Sequence, residues 1–176
     1  MAGYEHAAAG RENLQADFRD AMRAFAAPVS LITVREQGGD WRGMAASSVS
    51  SLCMEPPSVL LAIDRASSTL ETIRRVGQIC VNCLSCDQQD VVAVFASERR
   101  RSERFRVGDW SEGPNGSPWV VGARAALFCT VERTVDYGTH TILMNRVEAV
   151  RLTPSGASAP LLWLDGGPAR AERAAV

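Results

Sequence analysis

Lysine does not occur in this chain, and all nineteen of its basic residues are arginine. That absence excludes a Walker A phosphate loop, a kinase strand lysine, Schiff-base chemistry and a Ser-x-x-Lys nucleophile. Histidine is almost as scarce. Of two imidazoles, His6 falls in the first ten residues, expected to be a flexible tail, so His140 alone is left for a triad or a metal cluster. Long apolar runs are missing as well: the longest, at 59–63 and 91–96, fall far short of the roughly 20 residues of a membrane-crossing helix. Residues 1–10 lack the basic start and apolar stretch of a secretory signal, so a cytoplasmic location is expected. A net charge of −1 offers no general attraction to nucleic acid or to anionic membranes.

Five cysteines, an odd number, do not make a disulfide framework and are expected to be reduced. Cys80, Cys83 and Cys86 copy part of an iron–sulfur ligand spacing. Residues three apart on a strand point to opposite faces, however, and Asp90 stands where the fourth ligand of such a run would fall. Buried strand thiols are the expectation, with no metal.

What the chain does contain is patterned for one domain. Apolar residues at 14, 18, 21, 22 and 25 predict a helix over 11–26 with one face toward a core, stopped by Pro28. Residues 29–35 alternate, Gly38-Gly39-Asp40 turns the chain, and Trp41 leads back as a hairpin. A strand is expected at 58–64. Ser68-Thr69-Leu70-Glu71 and Ser85-Cys86-Asp87-Gln88 both read as capping boxes, opening a helix that Gly77 closes and a helix over 87–96, with a strand at 78–84 between them. Residues 108–118 read as a surface loop, 123–135 and 139–152 as long strands, and 161–164 as a short apolar segment. The domain is expected to span 11–165, with tails at 1–10 and 166–176. Many strands without regular alternation with helices predict an antiparallel barrel, and no Gly-x-Gly-x-x-Gly supports a dinucleotide-binding Rossmann unit.

Two stretches carry candidate chemistry. The run RRRSERFR at 99–106 holds five arginines, readable as a solvated face, as a nucleic-acid patch without the expected aromatics, or as forked donors for a phosphate. Residues 43–57, GMAASSVSSLCMEPP, leave a strand into small and hydroxylated side chains that allow close approach of a flat ring and hydrogen bonds to its polar edge.

With these segments the chain resembles the flavin reductase family of the FMN-binding split barrel. The similarity runs in order over 18–164: FRDAMRAFA at 18–26, the loop at 43–57, VNCLS at 81–85 with Gln88, Phe95-Ala96, FCTV at 128–131, GTHTI at 138–142, Arg146-Val147 and Pro160-Leu161-Leu162. The resemblance implies a mainly β, six-stranded antiparallel Greek-key split barrel with flanking helices. It implies a homodimer with FAD or FMN near the subunit interface, reduced by NADH or possibly NADPH and passed to a flavin-dependent monooxygenase. No nucleic acid or membrane is involved. Flavin contacts carry over to Ala46, Ser47, Ser48, Ser51, Leu52, Cys53, Asn82 and Ser85. Ser85 also opens a helix, whose amides would suit a phosphate. Arg104 is assigned to the phosphate and His140 to the nicotinamide pocket. Where the family usually has threonine and aspartate, this chain has Ala45 and Thr139. The alternative on the same barrel is a non-catalytic flavin-binding or electron-carrier module.

Overall fold

The computed structural model of the chain describes residues 11–153 and 158–172; the tail expected at 1–10, with His6, lies outside them. In chain order the elements are α1 (Arg11–Arg23), β1 (Ala27–Pro28), β2 (Ser30–Arg35), β3 (Trp41–Ala46), β4 (Ser50–Met54), β5 (Pro57–Asp64), α2 (Ser68–Val76) and β6 (Gln78–Cys83). After a 3-10 turn at Cys86–Gln88 follow α3 (Gln89–Phe95), a second 3-10 stretch at Glu98–Glu103, β7 (Trp110–Glu112) and β8 (Pro118–Val120). The chain continues through β9 (Ala125–Tyr137), β10 (His140–Leu152), β11 (Leu161–Leu164) and β12 (Gly167–Arg170).

The main sheet is antiparallel in the order β3-β2-β6-β9-β10-β5-β4. Six of its strands are those expected. The seventh, β4, occupies part of the small-residue segment read as a loop. The terminal strands β3 and β4 are consecutive in the chain and joined by Ser47, Ser48 and Val49 alone. The sheet must therefore curl until its edges meet, and irregularities in the β9/β10 register assist the bend. Inside lie Ile32, Val34, Leu61, Ile63, Ile79 and Leu143, with Met44, Ala46 and Val49 packed against them from the edge region. This is a barrel closed by a linker, with no hydrogen-bonded ladder between its two edges.

A second core lies outside the barrel wall, where Leu31 and Leu84 meet Val91, Val92 and Phe95 of α3. β2 separates the two cores and is buried on both faces along Ser30–Val34, which is why its apolar residues are nearly continuous. Thr33 meets the interior through its hydroxyl, which donates to the Pro118 carbonyl (2.5 Å) and accepts from Asn82 Nδ2 (3.2 Å).

Several expectations change. α1 stops at Arg23, and Leu14, Phe18, Met22 and Phe25 stay exposed, so its apolar face does not cover this chain's core. The cap of α2 is Ser67, without a side-chain cap bond, and Ser68 is its first helical residue; Gly77 ends it in the left-handed region as expected. The Ser85 capping box forms, but on the 3-10 turn preceding α3. Residues 108–118 include a strand of the hairpin β7/β8 that packs on the barrel: Asn115 Nδ2 donates to the Ile79 carbonyl (3.1 Å), and Ser117 is buried. The segment from 166 contains β12, paired with β11. Cys80 and Cys129 are buried, and burial pushes the Cys129 thiol up to about 12 and raises that of Cys80 further.

The hairpin turn meets the barrel most tightly at Gly113, where an added Cβ would lie 2.0 Å from the ring of the fully buried Phe128. Gly113→Ala is expected to destabilise the fold by about 1–3 kcal/mol or more through overpacking. Gly38→Ala, with open space around the new methyl, should stay near wild type. Thermal unfolding of the two variants checks this contrast.

Candidate functional site

An open cleft of about 640 Å³ runs along β3 between the start of α2 and the end of α3. Met44 and Ala45 form its floor, Asp64, Ser67, Ser68 and Thr69 one side, and Phe95, Ala96, Glu98, Arg101 and Arg104 the other. Its size falls within the range of cofactor clefts. A second, apolar depression of about 180 Å³ adjoins it, lined by Val29, Ala45, Ala46, Ser47, Val92, Ala96 and Trp163. Ala45 and Ala96 belong to both. β3 is an edge strand, paired only with β2, so its outer backbone groups are available along this floor.

The cleft has a basic end. Arg101 NH2 donates to Ser68 Oγ (2.7 Å) beside the first turn of α2, whose amides have no side-chain cap. Open amides at a nine-residue helix start, a hydroxyl and a guanidinium together suit an anion. Arg104 is differently employed: its side chain is 7% exposed. It donates to the carbonyls of Gly43 (3.2 Å), Phe95 (3.0 Å) and Ser97 (3.4 Å) and to Glu98 Oε1 (2.9 Å), and lies over the Phe95 ring. It fastens β3 to the end of α3, and of the five arginines in the run Arg101 is the one that reaches Ser68 at the start of α2 across the cleft.

Of the residues assigned to the flavin, the structure brings Ala46 and Ser47 together at the apolar depression. Ser48 is exposed beside them, its hydroxyl donating to the Ala62 carbonyl (2.7 Å). Ser51, Leu52 and Cys53 lie exposed on the edge strand β4 and line neither hollow. Asn82 is fully buried. Its amide donates to the Leu31 carbonyl (3.1 Å) and Thr33 Oγ1, and its Oδ1 accepts from the Val120 amide (3.0 Å), so it ties β2 and β6 to β8. Ser85 is buried too: its amide is taken by Gln88 Oε1 (3.2 Å), and the Cys86 amide by the Ala159 carbonyl (2.9 Å). Both residues are thus buried, with the side-chain amide of Asn82 and the backbone amides of Ser85 and Cys86 already bonded within the chain.

His140 stands exposed at the start of β10, opposite Asp64 of the cleft wall. Its Nδ1 lies 2.9 Å from Thr139 Oγ1. The hairpin tip is held from two sides. The Arg65 amide donates to the Thr139 carbonyl (2.9 Å), while Arg74 of α2 donates to Asp136 Oδ1 (2.8 Å), which also accepts from the buried Thr141 hydroxyl (2.6 Å). The Thr141 hydrogen bond first, then the Arg74 and Arg65 charges, hold the Asp136 carboxyl below its ordinary range. Ser67, Ser68, Asp64 and Ala96 were not identified as site residues from sequence; Ser68 alone carried a helix-start signal.

Residues 22–172 match the family described as Flavin reductase like domain. The chain is 40% identical over 145 residues to an FMN reductase (NADH), RutF, of Pseudomonas syringae pv. syringae, covering 82% of this chain and 80% of that protein. It superposes on a homologue of nitrilotriacetate monooxygenase component B from Mycobacterium thermoresistibile with a TM-score of 0.86 at 31% identity, over 93% and 89% of the two chains. The Streptomyces globisporus NADH:FAD oxidoreductase SgcE6, solved with NAD and FAD fragments, gives 0.84 at 25% identity over 94% and 98%.

The two arginines make opposite demands on a test. Arg104→Ala strands three carbonyl contacts and should lower stability by about 1–3 kcal/mol. Arg101→Ala should leave thermal unfolding nearly unchanged while weakening FMN binding roughly fivefold or more and sparing riboflavin, which lacks the phosphate. Unfolding curves and flavin titrations of both variants check the division.

Proposed function

This chain belongs to the flavin reductase like domain family, and from that membership and the cleft along β3 we infer that it passes hydride from NADH to FMN or FAD and supplies reduced flavin to a flavin-dependent monooxygenase. It is an NAD(P)H-dependent flavin reductase. The observation that carries the reading is the joined pair of hollows: an edge-strand floor of alanines leading to a basic end at Arg101 and the start of α2.

Ala45, on the face of β3 turned away from the barrel interior, is small enough to let a planar ring lie close to the strand backbone, whose open groups on its outer edge suit the ring's nitrogens and carbonyls. Arg101, Ser67 and Ser68 suit the flavin phosphate. When bound, the flavin accepts hydride at N5 from C4 of the nicotinamide, a transfer that needs no protein nucleophile. The chain's task is then positioning: two rings held at reacting distance, with water displaced from between them. His140 supplies a flat face and a hydrogen bond at the rim beside Asp64, for the nicotinamide carboxamide or ring, and Thr139 orients the imidazole.

Two further parts belong to the reading. The location is cytoplasmic, where the five free thiols stay reduced. No helix among the described residues is long and apolar enough to cross a membrane. The assembly is a homodimer, supported by the uncovered apolar stripe of α1 and by the edge strand β4, where Met54 is 85% exposed.

Purified protein is expected to oxidise NADH only when flavin is supplied. His140→Ala should lower the reduction rate with NADH roughly tenfold, about 1.4 kcal/mol of lost positioning, with little change in flavin affinity. Stopped-flow reduction and flavin titration decide it; flavin binding without turnover would instead indicate a carrier module. For assembly, light scattering should give about twice the 19.0 kDa chain mass. A monomer that binds and reduces flavin overturns the dimer.

A further inference from the structure

Trp163 is the tryptophan that the fold itself does not use. Among the described residues, Trp41 and Trp110 pack against Phe105 at ring centroid distances of 5.6 and 4.8 Å, and Trp119 lies 5.0 Å from the Arg151 guanidinium. Trp163 has neither a ring nor a cation partner of this kind, and it is 40% exposed at the wall of the apolar depression.

Its backbone is nonetheless fixed. On β11 it lies between Ala27 of β1 and Pro168 of β12. Two residues earlier, the amide of the buried Leu161 donates to the Leu84 carbonyl (3.0 Å), and its own carbonyl accepts from the Val29 amide (3.0 Å). Two residues later, the Asp165 amide donates to the Arg23 carbonyl (2.9 Å). A large ring whose backbone is held on both sides, facing a floor of alanines too small to fill the space, is the construction of a slot for a flat apolar group.

The occupant follows from continuity. The depression shares Ala45 and Ala96 with the main cleft, whose far end is basic. A single ligand lying through both would be apolar and planar at the Trp163 end and anionic at the Arg101 end. A flavin carries both groups, an apolar dimethylbenzene ring at one end of its tricycle and a phosphate on the ribityl chain that leaves the central ring. We propose that Trp163 is a flavin-binding residue whose indole lies against the dimethylbenzene end of the isoalloxazine. This rests on the flavin reductase reading and adds to it a contact from the C-terminal hairpin, outside the small-residue loop.

The test combines two variants with a titration that requires no turnover. Trp163→Ala should weaken FMN binding about fivefold to tenfold and raise the KM for flavin in proportion, with kcat and the KM for NADH unchanged. Trp163→Phe keeps a ring, should bind within about threefold of wild type, and should lose much of the tryptophan quenching that FMN causes in wild type. Should the alanine variant fail to fold, the phenylalanine variant still decides through quenching. Unchanged FMN affinity in Trp163→Ala with undiminished quenching in Trp163→Phe overturns the inference. So does a rise in the KM for NADH alone, which would place the nicotinamide at that wall. Failure of wild-type protein to oxidise NADH with flavin present would sink the functional reading instead, and the binding titration would still decide the role of Trp163 separately.

Discussion

A sheet that closes on itself through a linker leaves two strand edges without partners, and the cleft along β3 depends on that constraint. β3 and β4 are the first and last strands of the sheet, yet only Ser47, Ser48 and Val49 separate them in the chain. Four peptide steps from Ala46 to Ser50 span at most about 14 Å, so the edges must approach each other at that end. They approach without pairing, and the outer backbone groups of β3 are left open over a floor of small side chains. An unpaired edge is ordinarily an aggregation hazard. Here it is recessed between α3, the start of α2 and the β11/β12 hairpin, where a planar ligand with a hydrogen-bonding edge can reach it and another sheet cannot.

Keeping that recess open falls largely to one buried cation. Arg104 reaches the carbonyl of Gly43 on β3 and two carbonyls at the end of α3, where helix carbonyls lack intrahelical donors. A lysine would carry the same charge but could not span these acceptors, because its three donors radiate from a single atom; the planar fork can. Glu98 balances the charge, and the Phe95 ring lies beneath the guanidinium. The contact that sets the separation of β3 from α3 also explains why Arg104 is poorly placed to release its donors to a phosphate. In a lysine-free chain arginine does the architectural work, and burial commits Arg104 to it.

Legibility in the sequence followed the range of the interactions involved. The β2/β3 hairpin, the closing of α2 at Gly77 and the Ser85 box were readable because each is decided by neighbouring residues. The antiparallel barrel was expected from many strands without regular helix alternation, and its Greek-key split form came with the family resemblance. The apolar stripe of α1 was visible, but a stripe says that something covers it and not what. Residues 108–118 look like a polar loop, yet Asn115 is satisfied by the barrel wall and Ser117, whose amide donates to Asn115 Oδ1, is buried with it, a long-range fact hidden from composition. Asn82 misled for the same reason: an amide within an apolar strand resembles a ligand contact until Leu31, Thr33 and Val120 are seen to use it up. Ala46 and Ser47 were singled out in sequence and line the apolar depression, whereas nothing local in the sequence pointed to Trp163, which only the folded hairpin carries to their side.

The titratable groups held away from their ordinary ranges also sort by place. Glu36, Glu103 and Asp136 are all lowered, each first by a hydrogen bond, from Thr72, Arg100 and Thr141 respectively, and none of them lines the main cleft. A carboxyl lowered on folding contributes stability that is complete above its unfolded range and disappears as the pH falls through the lowered value. These groups therefore leave stability level near neutrality and withdraw it together in acid. Asp136 is exposed and Glu36 and Glu103 are half-buried at the surface, so solvent screens each contribution. The one nearest the reaction is Asp136, which joins Arg74 of α2 to Thr141, the residue after His140. Its protonation would loosen the hairpin tip while leaving β3, Arg104 and the alanine floor as they are. Acid would then loosen the His140 side of the cleft before the β3 side, because the two are fastened by different chemistry: one by an exposed carboxylate, the other by backbone and the buried guanidinium of Arg104.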